Sequence, residues 1–267
     1  MNCYDQNKKS SFLRSLIKQF KVIGALLMRE VITRYGRNNI GFLWLFIEPI
    51  FFTIGVIILW KVMHSTSEFR LSIVPFVVTG YSCLLLWRTC SFRGIHALEA
   101  NRSLLHHRQV KIQDIFIARM ILDIGAVTAS FIFLMGLMIA FNLMNFPNNL
   151  LLIIQGWILM AWLSACIGII IGCLSELSDM VERIWHPLSY FSLSISGVFF
   201  MVEWLPIKVQ ELILWSPIIH PVEMVRAGYW GDFIKPHYST LYIYLVCLCL
   251  TLITLLILTN KRLQQPN

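Results

Sequence analysis

The chain has 267 residues, of which 57% are hydrophobic and only 13% are charged. Soluble domains usually carry about 25% charged residues, so this composition excludes an ordinary soluble protein and indicates that lipid surrounds much of the chain. The net charge of +8 is typical of the basic cytoplasmic side of a membrane protein, and we do not expect nucleic acid to be a partner.

The first apolar pattern along the chain is helical. Residues 12–33 place apolar side chains on one stripe and basic side chains on the opposite face. A basic amphipathic helix directly before a membrane span is typical of a helix that lies in the cytoplasmic membrane interface. The alternative, a small soluble subdomain, has too few residues to build its own core. We therefore assign residues 1–40 to a cytoplasmic tail and an interfacial helix that contacts membrane lipids.

Six longer apolar segments follow, each close to the roughly 20 residues that cross a bilayer. They are continuous rather than alternating, so they are predicted to satisfy their backbone as helices. The predicted spans are residues 42–60, 71–87, 120–141, 150–174, 184–202 and 241–259. The second is short and is expected to extend past Trp87. The sequence thus predicts an all-α integral membrane protein with a six-span domain over residues 41–260 and a cytoplasmic tail over residues 261–267.

The basic residues of the connecting segments are distributed unevenly between the two sides of the membrane. With six spans, seventeen lysines and arginines fall on the side that holds both termini, and five fall on the other side. Cytoplasmic loops of membrane proteins carry an excess of these residues, so both termini are predicted to be cytoplasmic.

Two of the predicted spans each contain a single charged residue. Glu48 lies in the first span, where a charge at the bilayer centre costs about 2.5–3.5 kcal/mol, so it is expected to face protein, water or a polar ligand. Pro49 follows it and is expected to kink the helix. The alternative is that Glu48 pairs with Arg37 at the cytoplasmic end. Asp123 lies four residues after Arg119, a spacing that predicts an ion pair on the helix surface.

The segment before the last span, residues 203–237, contains an apolar stretch that is too short to cross the bilayer. Pro217 and Pro221 interrupt this stretch, which favours short re-entrant or interfacial helices. His220, Glu223 and Arg226 are spaced three apart there and would form one polar row on a helix. We expect this row to hold the short helices together at the outer side. The alternative is a polytopic membrane glycosyl- or acyltransferase in which His220 is a general base.

Motifs for nucleotide binding or metal chemistry are absent from the sequence. None of the glycines is followed by lysine, so the chain has no phosphate loop of the form G-x-x-x-x-G-K-[ST]. It also has no H-E-x-x-H, no G-x-S-x-G and no C-x-x-C motif. We therefore expect no catalytic residue, no metal site and no cofactor bound by this chain, and energy for work across a membrane would come from elsewhere.

Three motifs, in this order, resemble the ABC-2 type permeases that export bacterial polysaccharides. They are RYGRNNIGFLWLFIEP (residues 34–49), IHALEANRSLLHHRQVKIQD (residues 95–114) and HPVEMVRAGYWGD (residues 220–232). The likeness extends over nearly the whole chain. It is greatest to the inner-membrane permeases of group 2-type capsular polysaccharide exporters of Gram-negative bacteria.

This resemblance implies the ABC-2 exporter fold in the bacterial inner membrane, with a homodimer bound to two copies of a separate ATPase subunit. ATP and Mg²⁺ would be held by that subunit, and this chain would be a transport permease rather than an enzyme. The implied substrate is a lipid-linked capsular polysaccharide, and the implied further partners are a periplasmic co-polymerase and an outer-membrane export protein. Export of another lipid-linked glycan, such as O antigen or teichoic acid, is the alternative.

The first motif would contribute to a substrate conduit. Its candidate residues are Arg34, Arg37, Trp44, Glu48 and Pro49. The two arginines are expected to end the interfacial helix at the lipid headgroups. The resemblance implies that the kink at Pro49 lies beside a polar conduit.

The second motif would contact the ATPase subunit. Residues 96–107 contain no proline or glycine and are predicted to form a helix. Leu98, Arg102 and Leu105 fall at i, i+4 and i+7, so they would share one face that fits a groove on a partner. Glu99 would pair with Arg102. The alternative is a helix that only rests on lipid headgroups.

Overall fold

A computed structural model describes residues 3–35, 40–63, 72–95, 97–101 and 110–259. Every regular element in these ranges is helical, which confirms the predicted all-α class. The α-helices are α1 (Cys3–Tyr35), α2 (Ile40–Met63), α3 (Ile73–Ile95), α4 (Ile112–Ala140), α5 (Leu150–Ser175), α6 (Asp179–Ile195), α7 (Ile207–Ile213), α8 (Ile219–Trp230) and α9 (Thr240–Leu258). Short 3-10 helices lie at Glu99–Asn101, Val202–Trp204 and Gly231–Phe233.

Four of the described helices, α3, α4, α5 and α9, are long and apolar enough to cross a membrane. About 20 residues at 1.5 Å each are needed to cover the roughly 30 Å hydrocarbon core. The described part of α2 has a shorter apolar segment over Phe46–Leu59, and α6 has 17 residues. The fold is therefore that of a multi-pass helical membrane protein, in which α3 extends past Trp87 as predicted. Spanning by α2 and α6 stays a prediction.

Several helix boundaries differ from the predicted ones, and two of these differences have a visible cause. α4 begins at Ile112 instead of residue 120, because the Asp114 carboxylate accepts a hydrogen bond from the Lys111 backbone N–H at 3.1 Å and caps the first turn. α6 ends at Ile195 instead of residue 202. The chain turns there at Gly197, whose φ of 76° lies in the left-handed region that favours glycine.

α3 forms the centre of the bundle and is buried along most of its length. It crosses α5 at glycines: a Cβ atom at Gly168 would lie 2.5 Å from the backbone oxygen of Cys90, and one at Gly94 would meet the backbone of Gly168. Small residues at such crossings allow membrane helices to approach closely. α4, α8 and α9 pack around this pair. α2 and α6 lie on the outside and leave large apolar side chains exposed.

α1 confirms the predicted N-terminal helix and is longer than residues 12–33. One of its faces packs on the protein. There Leu26 joins a hydrophobic cluster that is separate from the main core of the bundle, called here the second core cluster, which also contains Leu98, Ile115 and Phe116. Two members of the predicted apolar stripe, Ile23 and Leu27, pack against this cluster, whereas Ile17 and Phe20 point outward, and Phe20 is 70% exposed. The stripe is therefore divided between the protein and the surface. The contact of its outward part with membrane lipids stays a prediction.

The predicted helix over residues 96–107 differs from the observed structure in its described part. Residues 97–101 form a turn and a short 3-10 helix. Leu98 is only 4% exposed because it packs in the second core cluster between α1 and α4, so the prediction that it projects toward a partner is wrong. Glu99 is exposed. Two further predicted contact residues lie outside the described part of the chain: Arg102 and Leu105.

Candidate functional site

A cleft of about 140 Å³ lies between α2, α3 and α6. Its walls are largely aromatic, and Arg88 is the charged side chain among the residues that line it. Most of these residues come from α3, and the turn after α6 adds one more. Its lining includes Phe52, Tyr81, Trp87, Arg88, Tyr190 and Phe199.

Glu48 lies beside this cleft and pairs with Arg88. Nη2 of Arg88 is 2.6 Å from Oε1 of Glu48, and the Tyr81 hydroxyl donates to the same oxygen at 3.3 Å. The pair forms because α2 and α3 are antiparallel neighbours, which places the early part of α2 beside the late part of α3. Glu48 therefore faces protein, as expected, but its partner is on another helix. The partner considered from sequence, Arg37, lies outside the described residues.

The ion pair is partly exposed at the surface of the chain, with 45% of the Arg88 side chain and 30% of the Glu48 side chain exposed. Exposed pairs of this kind contribute only about 0–1 kcal/mol to stability, so the pair is not needed to hold α2 on α3. Stacking contributes more to the contact between α2 and α3, because the Phe52 and Tyr81 rings lie 3.8 Å apart and nearly parallel. Arg88 has five N–H donors and uses one on Glu48, which leaves donors for an oxygen-rich ligand in the cleft.

The other residues predicted for the conduit do not line this cleft. Pro49 is buried inside α2. Trp44 is exposed one turn before Glu48. The side chain of Arg34 and the whole of Arg37 lie outside the described residues. The other residues that line the cleft were not predicted from the sequence, because they belong to apolar spans in which no single position stands out. Arg88 could have been noticed only as a cation at the edge of the second predicted span.

Asp123 and Arg119 are buried in the bundle, so the prediction that they lie on the helix surface is wrong. Nη1 of Arg93 on α3 donates to Oδ1 of Asp123 at 3.0 Å. Nη1 of Arg119 lies 3.7 Å from Oε1 of Glu30 on α1. These side chains link α4 to two other helices. Contacts between segments that are distant in the chain cannot be predicted from i,i+4 spacing.

The predicted polar row lies on α8, and its three side chains are buried. His220 accepts a hydrogen bond at Nδ1 from the Ser239 backbone N–H at 3.1 Å, and its Nε2 lies 3.0 Å from the Leu214 carbonyl oxygen. Nε2 must carry the proton in this arrangement, because a carbonyl oxygen only accepts. Burial lowers the pKa of His220, so the ring is neutral at pH 7. With both nitrogens occupied, it is poorly suited to act as a general base.

Arg226, the last residue of the polar row, stabilises the turn after α6 by hydrogen bonds. Its guanidinium is fully buried and donates to three backbone carbonyls within residues 197–200 at 2.6 to 3.0 Å. Glu223 approaches Nη1 of Arg226 to 3.7 Å, and burial raises the pKa of that carboxyl, whereas Arg226 opposes the shift. Phe199 lies within this turn and lines the cleft. The row therefore orders one end of the cleft.

The cleft offers hydrogen-bond donors and aromatic faces, and the Glu48 carboxylate lies beside it. Proteins orient bound polar molecules with this combination of groups. Among the described residues, no group of three or more His, Cys, Asp or Glu side chains could hold a metal ion. Charged groups retained inside a helical bundle commonly mark a substrate pathway. The fold is that of a multi-pass helical membrane protein, and polar groups placed in this way are common in membrane transport proteins.

The chain belongs to the ABC-2 type transporter family, whose model matches residues 21–230. This membership confirms the resemblance carried by the three sequence motifs. The chain is 42% identical over 244 residues to the capsule polysaccharide export inner-membrane protein CtrC of Neisseria meningitidis serogroup B, covering 91% of this chain and 92% of that protein. It is 38% identical over 252 residues to the capsule polysaccharide export inner-membrane protein BexB of Haemophilus influenzae, covering 94% and 95%.

A more distant relative is the polysialic acid transport protein KpsM of Escherichia coli. It is 30% identical over 242 residues, covering 88% of this chain and 90% of that protein. The relatives therefore match this chain from near one end to near the other, including all three motifs.

Proposed function

We propose that this chain is the permease subunit of an ATP-driven exporter that moves a lipid-linked capsular polysaccharide across the bacterial inner membrane. Family membership and the names of the relatives support this function. The structural observation that carries it is the Glu48–Arg88 pair beside an aromatic cleft. The occupied nitrogens of His220 weigh against the alternative of a membrane transferase.

The cleft suits a carbohydrate chemically. Each sugar hydroxyl both donates and accepts hydrogen bonds, and the site offers acceptors on Glu48 and unused donors on Arg88. The aromatic side chains provide apolar faces for the rings of the sugar. Because the pair is half-exposed, its groups can exchange partners without the desolvation penalty of a fully buried pair.

Replacing Glu48 by glutamine is expected to lower polysaccharide export at least about tenfold, because a hydrogen bond from a sugar hydroxyl to the charged Glu48 carboxylate would contribute about 1.5–3 kcal/mol to substrate binding. The permease should still reach the membrane, since a partly exposed pair adds little stability. The measurement is surface polysaccharide in cells that lack their resident permease, with membrane levels of each variant as a reference. Glu211→Gln, an exposed carboxylate on α7, is the matched control. Normal export by Glu48→Gln, Glu48→Ala and Glu48→Leu alike would remove the cleft from the transport path.

ATP hydrolysis belongs, in this proposal, to two copies of a separate ATPase subunit that hold ATP and Mg²⁺. The absence of a phosphate loop from this sequence supports that division. The cytoplasmic loop of the second motif is the proposed contact. Because Leu98 is buried, the contact would use exposed positions such as Glu99, together with the positions predicted at Arg102 and Leu105.

The proposed assembly is a homodimer that works with a periplasmic co-polymerase and an outer-membrane export protein. The exposed apolar faces of α2 and α6 support a contact with a second copy or with lipid. Such faces are unfavourable in water and need a cover.

The proposed topology has six spans, with α2 and α6 added to the four long apolar helices and with both termini in the cytoplasm. A cysteine placed at Gln264 is therefore expected to stay unlabelled when a membrane-impermeant thiol reagent reaches only the periplasmic side of intact inner membranes. A cysteine at Phe146, which is exposed between α4 and α5, should be labelled under the same conditions. Labelling at position 264, or none at position 146, would contradict the orientation.

A further inference from the structure

A network of polar side chains joins α1, the loop at residues 97–101 and α4 on one side of the bundle. Nδ2 of Asn101 donates to Oε1 of Glu30 at 3.1 Å, and Nη1 of Arg29 donates to Oδ1 of Asn101 at 3.0 Å. Oε1 of Glu30 also lies 3.7 Å from Nη1 of Arg119 on α4. One carboxylate oxygen therefore contacts a loop residue and a residue of another helix.

The central residues of the network are shielded, whereas Arg29 at its edge is exposed. Asn101 is buried, and the side chains of Glu30 and Arg119 are only 14% and 10% exposed. It adjoins the second core cluster, where Leu98 of the same loop packs with Leu26 of α1. Charged groups interact more strongly in such a setting than at a solvated surface, so the loop, α1 and α4 are held in one fixed arrangement.

Both helices joined by Glu30 continue toward the cleft. α1 ends at Tyr35, and α2, which carries Glu48, begins at Ile40. On α4, one turn beyond Arg119, Asp123 accepts the hydrogen bond from Arg93 on α3. Contacts among the described residues therefore connect the loop, through α1 and α4, to α2 and α3, the helices that form two walls of the cleft.

We propose that Glu30 is a positioning residue that transmits movement of the cytoplasmic loop to α1 and α4, with Asn101 as its contact on the loop. This inference rests on the proposed function, because the movement would originate in ATP hydrolysis on the separate subunit. Such coupling requires a physical element that both sites bias, and the network supplies one. A residue that only stabilised the fold would lower the amount of permease without changing how much export each ATP supports.

Two substitutions separate the two contacts of Glu30. Glu30→Gln removes the charge that faces Arg119 but keeps an oxygen for the Asn101 amide. Asn101→Ala removes the loop contact and leaves the Glu30–Arg119 pair in place. Lys21→Gln, which neutralises an exposed charge on the same helix, is the control. The double variant Glu30→Gln, Asn101→Ala should be no worse than the more severe single variant if both act in one network.

The experiment measures three quantities for the permease bound to its ATPase subunit: co-purification of the ATPase, ATP hydrolysis by the purified complex, and polysaccharide export in cells. For both single variants we expect unchanged co-purification, ATP hydrolysis within about twofold of the parent complex, and export lowered about tenfold, a usual size for coupling between sites. Lys21→Gln should match the parent in all three. The informative quantity is the ratio of export to ATP hydrolysis.

Normal export by both single variants would overturn the inference. If Glu30→Gln fails to accumulate, Asn101→Ala decides the question, and an unchanged ratio for that variant would also overturn it. Failure of the proposed function looks different: the unsubstituted permease would then export polysaccharide equally well with an ATPase subunit that cannot hydrolyse ATP. The parent complex in the same cells therefore tests the function separately from the role of Glu30.

Discussion

Replacing Gly168 by alanine is expected to destabilise the protein strongly, although the change adds only one methyl group. The new Cβ atom would lie 2.5 Å from the backbone oxygen of Cys90 on α3. A flexible side chain could turn away from such a contact, but a helix backbone can only move as a whole. Overpacking typically costs about 1–3 kcal/mol and occasionally more, and we expect a value at or above the upper end of this range.

The measurement is the melting temperature of the purified protein in detergent, together with its amount in the membrane. A loss of about 3 kcal/mol corresponds to a fall of roughly 6–12 °C for a chain of this size. Gly125→Ala and Gly136→Ala on α4 are matched controls, because a Cβ atom at either position meets nothing within 4 Å. Alanine also has the higher helix propensity, so the controls should melt no lower than the parent. A normal melting temperature for Gly168→Ala would show that α3 and α5 can move apart at little cost.

Replacing Arg226 by methionine is expected to abolish export and to lower the free energy of unfolding by about 3–5 kcal/mol, the cost of breaking a buried charge pair. The variant leaves three carbonyls of residues 197–200 without their donor and leaves Glu223 without its nearest cation. Because Phe199 lies in the same turn, the lining of the cleft should change with it. Arg226→Lys should also fail, since one ammonium cannot reproduce the planar guanidinium that holds three acceptors.

Glu223→Gln should be milder than Arg226→Met. The guanidinium keeps its three carbonyl partners in the Glu223 variant, and the pair itself is separated by 3.7 Å. Melting temperature and export are the two readouts, and Lys208→Met, which removes an exposed cation from α7, is the control. If Glu223→Gln and Arg226→Met lower melting temperature and export equally, the ion pair is the important contact, rather than the hydrogen bonds from Arg226 to the carbonyls of residues 197–200.

The polar row on α8 shows what sequence spacing can predict about this protein. Three residues at i, i+3 and i+6 on one helix share a face whatever surrounds them, because helix geometry alone places them there. The row was therefore predictable, whereas its role in holding the short helices together stays a prediction. Its partners, the carbonyls of residues 197–200, were not predictable, because they depend on where another segment turns.

Charged residues within the spans show the opposite case. Glu48 was recognisable as unusual because a charge in lipid is costly. Its pairing with Arg88 depends on α2 lying antiparallel to α3, and the pairing of Asp123 with Arg93 depends on α3 crossing α4. The partners considered from the sequence, Arg37 for Glu48 and Arg119 for Asp123, are near in the chain. The observed partners are 40 and 30 positions away.

The sequence by itself determined the membrane class, the all-helical fold and the family, because long apolar runs in lipid must satisfy their backbone as helices and because the three motifs are specific. Only the tertiary structure decided that Leu98 is buried, that Glu30 contacts the loop and that Arg88 lines the cleft. The physical reason lies in the solvent. A helix in water shows its buried face by apolar periodicity, whereas a helix in lipid is apolar on every side, so its sequence does not show which side meets protein.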